Sequence, residues 1–155
     1  MRISGGLAKG ISLRVTKTTK LRPATDANRE RLFSSLGDFV GEKSVLDLFA
    51  GSGSYGLEAL SRGAGDAIFV EGDRRIFRDL KLNLANACKS ANLHPDVGRL
   101  ENREVIEYLR HCDLSFGLVF LDPPYSEFAK LGPKVLELLR TRNLVGTDSL
   151  LVHES

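Results

Sequence analysis

Two short stretches of this chain combine residue types that can do chemistry. In Asp122-Pro123-Pro124-Tyr125, a carboxylate, two prolines and an aromatic ring follow the apolar run Leu118-Val119-Phe120-Leu121. The prolines cannot extend a central strand, so the chain must leave the sheet just after Asp122. They stiffen the corner and present carbonyl oxygens beside nitrogens that carry no hydrogen. Such a corner suits a planar group bearing N–H bonds, with the Tyr125 ring as a stacking surface for a flat base. An exocyclic amine bound by Asp122 and by the Pro123 carbonyl would hold its nitrogen in place, the lone pair aimed at an electrophilic carbon. Orientation of that kind can save roughly 7–11 kcal/mol of barrier. The residue types leave open whether Asp122 also takes the proton that the nitrogen must lose.

The second stretch is Asp47-Leu48-Phe49-Ala50-Gly51-Ser52-Gly53-Ser54-Tyr55-Gly56, a G-x-G-x-x-G pattern in which Gly51 and Gly53 open the turn. Glycines here let a ligand approach the backbone at a helix N-terminus, for dinucleotides and for S-adenosylmethionine alike. Asp47, four residues before Gly51, would repel a pyrophosphate and suits the ammonium end of S-adenosylmethionine. Glu71 lies 18 residues after Gly53, where a carboxylate can take ribose hydroxyls in either ligand class. The candidate cofactor contacts are therefore Asp47, Phe49, Gly51, Gly53 and Glu71.

Both stretches need a frame that brings their loops together. From Ser44 onward, short apolar runs alternate with helical patterns. Strands are expected at Val45–Ala50, Ala67–Glu71, Asp96–Leu100, Leu118–Leu121 and Leu150–Val152. Helices are expected at Tyr55–Arg62, after an Asp73 cap, around Val105–Leu109, and from Pro133 in a first turn. This alternation predicts a Rossmann-like α/β fold, a mostly parallel sheet with helices on both faces. The run Leu118–Leu121 should lie beside the Val45–Ala50 strand, so that Asp122 and the glycine loop open onto one crevice.

Ahead of this core, Ile11, Leu13 and Val15 alternate with polar residues among Gly5, Gly6 and Gly10, which predicts a small β-hairpin. Thr25 or Asp26 can cap a helix with Leu32, Phe33 and Leu36 on one face. The 155 residues read as one domain, 1–25 a basic hairpin and linker and 26–155 the cofactor-binding core. Residues 1–31 hold eight basic side chains against Asp26 and Glu30, a balance of +6 within a chain whose net charge is +2. A basic arm on an acidic body points to a polyanion, with Lys9, Arg14, Lys17, Lys20, Arg22 and Arg29 as candidate nucleic-acid contacts. Cys88 and Cys112 lie far apart in no paired motif, and the three histidines show no ligand spacing, so neither a disulfide nor a metal is expected. No apolar run is long enough to span a membrane. A cytoplasmic setting fits these features.

"DLFAGSG", "VEGDR" and "FLDPPY", in that order, resemble class I amino-group methyltransferases. "MRISGGLAKGISLRV" followed by "LRPATDANRERLF" resembles the bacterial 16S ribosomal RNA (guanine(966)-N(2))-methyltransferase family over nearly the whole chain, the Arg22–Glu30 segment being its most specific part. That resemblance implies S-adenosylmethionine as cofactor, Asp47, Gly51 and Gly53 at its methionine end, Glu71 at its ribose, and Asp122 to Tyr125 as the catalytic clamp on a guanine amine. It implies ribosomal RNA, or an assembling small subunit, as partner, gripped by the basic hairpin and Arg22–Arg31. Three departures stand out: Ala24 replaces a frequent threonine; the family's acidic or amide residue beside the adenine, after the third strand, matches Glu104 by its spacing to Leu109, with Asn102 its competitor; and family members usually continue into two more strands beyond "LLVHES". Leu150–Val152 is then expected as a sheet edge in a monomer, or in a dimer paired through that edge. The remaining alternatives are a DNA adenine or cytosine amino-methyltransferase, a dinucleotide-dependent oxidoreductase and a non-catalytic RNA-binding module.

Overall fold

The structure is a computed structural model that describes residues 1–16 and 25–153, with Tyr125 described by its backbone alone. Lys17, Lys20 and Arg22, three of the expected nucleic-acid contacts, lie outside the described residues, as does the side chain of Tyr125.

Five parallel strands form one sheet in the order β3-β2-β1-β4-β5. They are β1 (Ser44–Leu48), β2 (Asp66–Val70), β3 (Gly98–Glu101), β4 (Phe116–Leu121) and β5 (Val145–His153). The helices are α1 (Asp26–Leu36), α2 (Ser54–Ser61), α3 (Arg74–Ala91), α4 (Val105–His111) and α5 (Phe128–Thr141). Alternation along the central strands sorts two cores. Val45, Phe69, Leu118 and Phe120 face α1, α2, α3 and the N-terminal segment, whereas Leu46, Leu48, Val70, Val119 and Leu121 face α4 and α5. β1 and β4 are neighbours, as expected, with Asp47 opposite Phe120 and Leu48 opposite Leu121. Their carboxyl ends therefore release the glycine loop and Asp122 at one edge of the sheet.

Local signals placed most boundaries. The Thr25 hydroxyl caps α1 by accepting from the Asn28 amide at 3.1 Å. Asp73 caps α3 through the Arg75 and Ile76 amides at 2.8 and 3.1 Å. Within α3, Ile76, Leu80, Leu84, Cys88 and Ala91 are buried as the spacing predicts.

Two expectations need correction. Pro133 does not open α5 but sits inside it, because a short turn at Tyr125–Glu127 runs directly into the helix and the Phe128 ring stacks on His153, centroids 4.0 Å apart. The last strand begins at Val145, not Leu150. Gly146-Thr147-Asp148-Ser149 reads as a turn, yet the chain crosses it with a register shift: the Ser149 hydroxyl accepts from the Gly146 amide and donates to the Phe116 carbonyl. The expected N-terminal hairpin is present and short: Arg2 and Ser12 bridge antiparallel, the Ile3 amide donates to the Ile11 carbonyl at 3.0 Å and the Leu13 amide to the Met1 carbonyl at 2.8 Å. The hairpin buries Ile3, Ala8 and Leu13 in the same core as Phe33 of α1 and Leu57 of α2.

β5 forms one edge of the sheet among the described residues, opposite β3, with Leu150 and Leu151 partly exposed.

Candidate active site

A crevice of about 540 Å³ opens at the carboxyl ends of β1, β2 and β4. Its wall is formed by the glycine loop from Phe49 to Ser52, by Glu71 at the end of β2, by Glu104 after β3, and by Asp122, Pro123 and Pro124 after β4. Two motifs about 70 residues apart in sequence thus share one cavity. The reason lies in the strand order, since parallel neighbours release their loops on the same side.

Glu71 is held in place by the backbone. One carboxylate oxygen accepts from the Gly51 amide at 2.9 Å, the other from the Asp73 amide at 2.9 Å. Burial raises its pKa above the ordinary glutamate value, against the opposing pull of those amides. The lone pairs left over on this half-buried carboxylate line the crevice, suited to donors such as hydroxyl groups.

Asp47 stands behind the wall and not in it. Strand alternation turns its side chain toward α2, where it is 1% exposed and accepts from the Gly56 amide at 3.0 Å. Burial pushes its pKa well up, and the charges of Asp122 and Glu71 push the same way. Its direct task is to anchor the start of α2 below the glycine loop, where the helix N-terminus favours a carboxylate.

Gly53 is likewise outside the wall. Its φ is +87°, and a Cβ there would lie 2.5 Å from Leu80 Cδ1, so glycine is required for the turn and for the approach of α3. Phe49 does line the crevice, from a left-handed conformation with φ +57°. Between the two candidates after β3, Glu104 lines the crevice. Asn102 instead donates to the Glu71 carbonyl at 2.8 Å and the Gly72 carbonyl at 3.4 Å, closing the loop after β2.

The basic candidates separate sharply. Lys9 and Arg14 are exposed. Arg29 is not: its side chain is 0% exposed and pairs with Glu58, also 0% exposed, at 2.9 Å. Its other contacts are Asp26 and the Arg2 carbonyl. The expected nucleic-acid contact at Arg29 is therefore corrected to a structural one. Arg29 and Phe33 occupy the inward face of α1, and Glu58, 29 residues away, supplies the buried partner that the sequence could not display. Glu58 also accepts from the Ser4 and Gly5 amides and from Arg62, which ties the N-terminal segment to α2.

Sequence spacing also missed Asn83, a fully buried residue on the apolar face of α3. Its amide joins Arg14 to Ser52 of the glycine loop. Glu127 and Lys130, at the start of α5, complete the mouth of the crevice beside Pro124. A polar residue interrupting an apolar helical stripe was the available signal for Asn83. For Lys130 the signal was hidden by the misplaced start of α5. Among the described residues, no cluster of His, Cys, Asp or Glu could hold a metal ion, and no helix is long and apolar enough to cross a membrane.

The chain matches, over residues 1–155, the family model described as "Conserved hypothetical protein 95". It is 36% identical over 155 residues to ribosomal RNA small subunit methyltransferase D of Escherichia coli (strain K12), covering 100% of this chain and 74% of that protein. The protein of the same name from Haemophilus influenzae is 34% identical, with 100% and 78% covered. Among solved structures, a presumed methyltransferase of Escherichia coli, yhhF, superposes with a TM-score of 0.83 at 34% identity, covering 100% of this chain and 80% of that one.

Proposed function

The chain belongs to the conserved hypothetical protein 95 family, that of ribosomal RNA small subunit methyltransferase D, and we propose that it methylates the exocyclic N2 amine of a guanine in 16S ribosomal RNA, using S-adenosylmethionine. The observation that carries this reading is the shared crevice. Glu71, the glycine loop and the Asp122–Pro124 corner line one cavity.

The residues present fit the cofactor. Among the described residues the wall offers carboxylates and no basic side chain at the glycine loop, which favours a cationic ligand over a pyrophosphate. The volume of about 540 Å³ lies within the ordinary range for small-molecule sites. Glu71 would accept from the ribose hydroxyls, Glu104 would flank the adenine, and Phe49 to Gly51 would enclose the methionine end. When bound, S-adenosylmethionine supplies a methyl carbon made electrophilic by its sulfonium.

The chain does the rest by positioning. Asp122 and the Pro123 carbonyl accept the two N2 hydrogens, which holds the nitrogen lone pair outward instead of conjugated with the ring. The nitrogen would give that pair to the methyl carbon as the carbon–sulfur bond breaks, leaving S-adenosylhomocysteine, and would then shed one hydrogen as a proton. A methylated ammonium is acidic, so water suffices as acceptor, and Asp122 is a second acceptor in the same corner. Lys9 and Arg14, exposed on the basic N-terminal segment, would contact RNA phosphates in a salt-sensitive, sequence-independent way.

The test is methyl transfer from tritiated S-adenosylmethionine to transcribed 16S ribosomal RNA, followed by mapping of the label. Label on a guanine N2 supports the reading. Binding of NAD in place of S-adenosylmethionine, or label on DNA adenine or cytosine with none on RNA, would overturn it.

A further inference from the structure

The proposed reaction sets an electrostatic conflict inside this crevice. Its wall carries Glu71, Asp73, Glu104, Asp122 and Glu127. Five carboxylates suit a cationic cofactor, but the other reactant is a nucleotide within an RNA chain and brings phosphates with it. A nucleotide whose amine reaches Asp122 must bring its flanking phosphates to the mouth, close to Asp122 and Glu127. Among the described residues that line the crevice, one is basic: Lys130.

Its location gives the lysine a direction. The cofactor side of the crevice is built from β1 and β2, with Glu104 beyond β3, whereas β4 and β5 lie on the other side of β1. Lys130 sits in the first turn of α5, which follows β4 and the Asp122–Pro124 corner. It therefore stands across the clamp from Glu71 and Glu104, where the substrate must enter. That turn is also fixed in place. Phe128 stacks on His153 with an interplanar angle of 1°, and the His153 ring nitrogen hydrogen-bonds the Leu121 carbonyl at 3.0 Å, one residue before Asp122. The Glu127 amide donates to the Pro124 carbonyl at 2.8 Å, joining the clamp to the helix start. Lys130 thus projects, exposed at the mouth, from a helix turn that is tied to the amine clamp.

We propose that Lys130 contacts a phosphate of the target nucleotide, so that the acidic crevice accepts a polyanion beside a cationic cofactor. The inference rests on the RNA methyltransferase reading above. It makes Lys130 a substrate-positioning residue with no part in holding the cofactor.

The experiment compares wild type with Lys130→Ala, Lys130→Glu and Lys130→Arg. It measures KM and kcat for transcribed 16S ribosomal RNA at several salt concentrations and calorimetric affinity for S-adenosylmethionine. Loss of one phosphate contact raises the RNA KM about fivefold in the alanine variant, and more than tenfold on charge reversal, with arginine restoring most of it. The slope of log affinity against log salt becomes shallower by about 0.7–0.9 in the alanine variant. Affinity for S-adenosylmethionine stays within about twofold of wild type in all three, since the contact lies on the substrate side. A weakened cofactor affinity with an unchanged RNA KM overturns the proposal and assigns Lys130 to the cofactor carboxylate. An RNA KM that ignores all three substitutions overturns it as well. Wild-type protein that transfers no methyl group to RNA defeats the underlying reading instead, so the two failures are told apart.

Discussion

The side-chain amide of Asn83 donates to the carbonyl of Ser52 at 2.9 Å, deep in the protein. The same side chain accepts from the Arg14 amide at 2.8 Å and donates to the Arg14 carbonyl at 2.9 Å. One buried residue on α3 therefore pins both the glycine loop and the end of the N-terminal segment. An alanine at position 83 leaves three backbone groups without a partner. Unsatisfied buried groups cost about 1–3 kcal/mol. Asn83→Ala should lower the urea midpoint accordingly and weaken S-adenosylmethionine binding several-fold. A variant with wild-type stability and cofactor affinity would show that water replaces the amide without loss.

Gly53 and Gly10 share a φ of +87°, but their surroundings differ. A Cβ at Gly10 meets nothing within 4 Å, whereas one at Gly53 lies 2.5 Å from Leu80 Cδ1 and 3.2 Å from Leu57 Cδ1. Gly10→Ala should incur only the left-handed backbone strain, about 1 kcal/mol. Gly53→Ala adds overpacking of about 1–3 kcal/mol and displaces the loop that lines the crevice. Equal effects in thermal unfolding of the two variants would remove Gly53 from its packing role.

Asp122 lies in the wall beside Pro123, on the opposite side of β1 from Glu71. Asp122→Ala should reduce methyl transfer by about two orders of magnitude or more, in keeping with the loss of an orienting contact. Calorimetry should find S-adenosylmethionine affinity nearly unchanged. A matching loss of cofactor binding would place Asp122 among the cofactor contacts.

Glu58 gives the fold a defined acid sensitivity. Burial alone pushes its carboxyl up, but hydrogen bonds from the Ser4 amide and from Arg62 and Arg29 outweigh burial and hold it below the ordinary value of 4.5. A carboxyl lowered on folding contributes stability that is complete above its unfolded pKa and is lost as pH falls through the folded value. The stability gap between wild type and Glu58→Gln should therefore be widest near neutrality and shrink as pH drops below 4.5. Asp47 and Glu71, both raised, contribute in the opposite sense, and comparison with the variant cancels them. Near neutrality the gap should be at most about 3–5 kcal/mol, because the substitution strips Arg29 of its buried charge partner and leaves it only the half-exposed Asp26. A gap that is flat with pH would detach the Arg29–Glu58 pair from acid unfolding.

Much of this molecule could be read from residue order. Alternation of apolar runs with helical spacing gave the parallel sheet, because strand burial and helix amphipathicity are local patterns. Asp73 and Thr25 announced their helices by cap chemistry that acts over two or three residues. The two motifs Asp47–Gly56 and Asp122–Tyr125 marked a candidate ligand loop and a candidate amine clamp by residue type and by their order along the chain. The boundaries of α5 and β5 were not legible, since Pro133 and Gly146–Ser149 mimic start and turn signals. Stacking of Phe128 on His153 and the Ser149 bridge to Phe116, both long-range contacts, decided them.

Tertiary structure alone sorted residues of one type into different work. Arg14 and Arg29 look alike in a basic run, yet one is exposed and the other is buried against Glu58. Asp47 and Glu71 both end or approach strand ends, yet strand alternation sends Asp47 behind the wall and leaves Glu71 facing the crevice. Local sequence fixes what a side chain can do chemically. What it meets depends on strand order and on partners tens of residues away, because burial and charge pairing are properties of space and not of the chain.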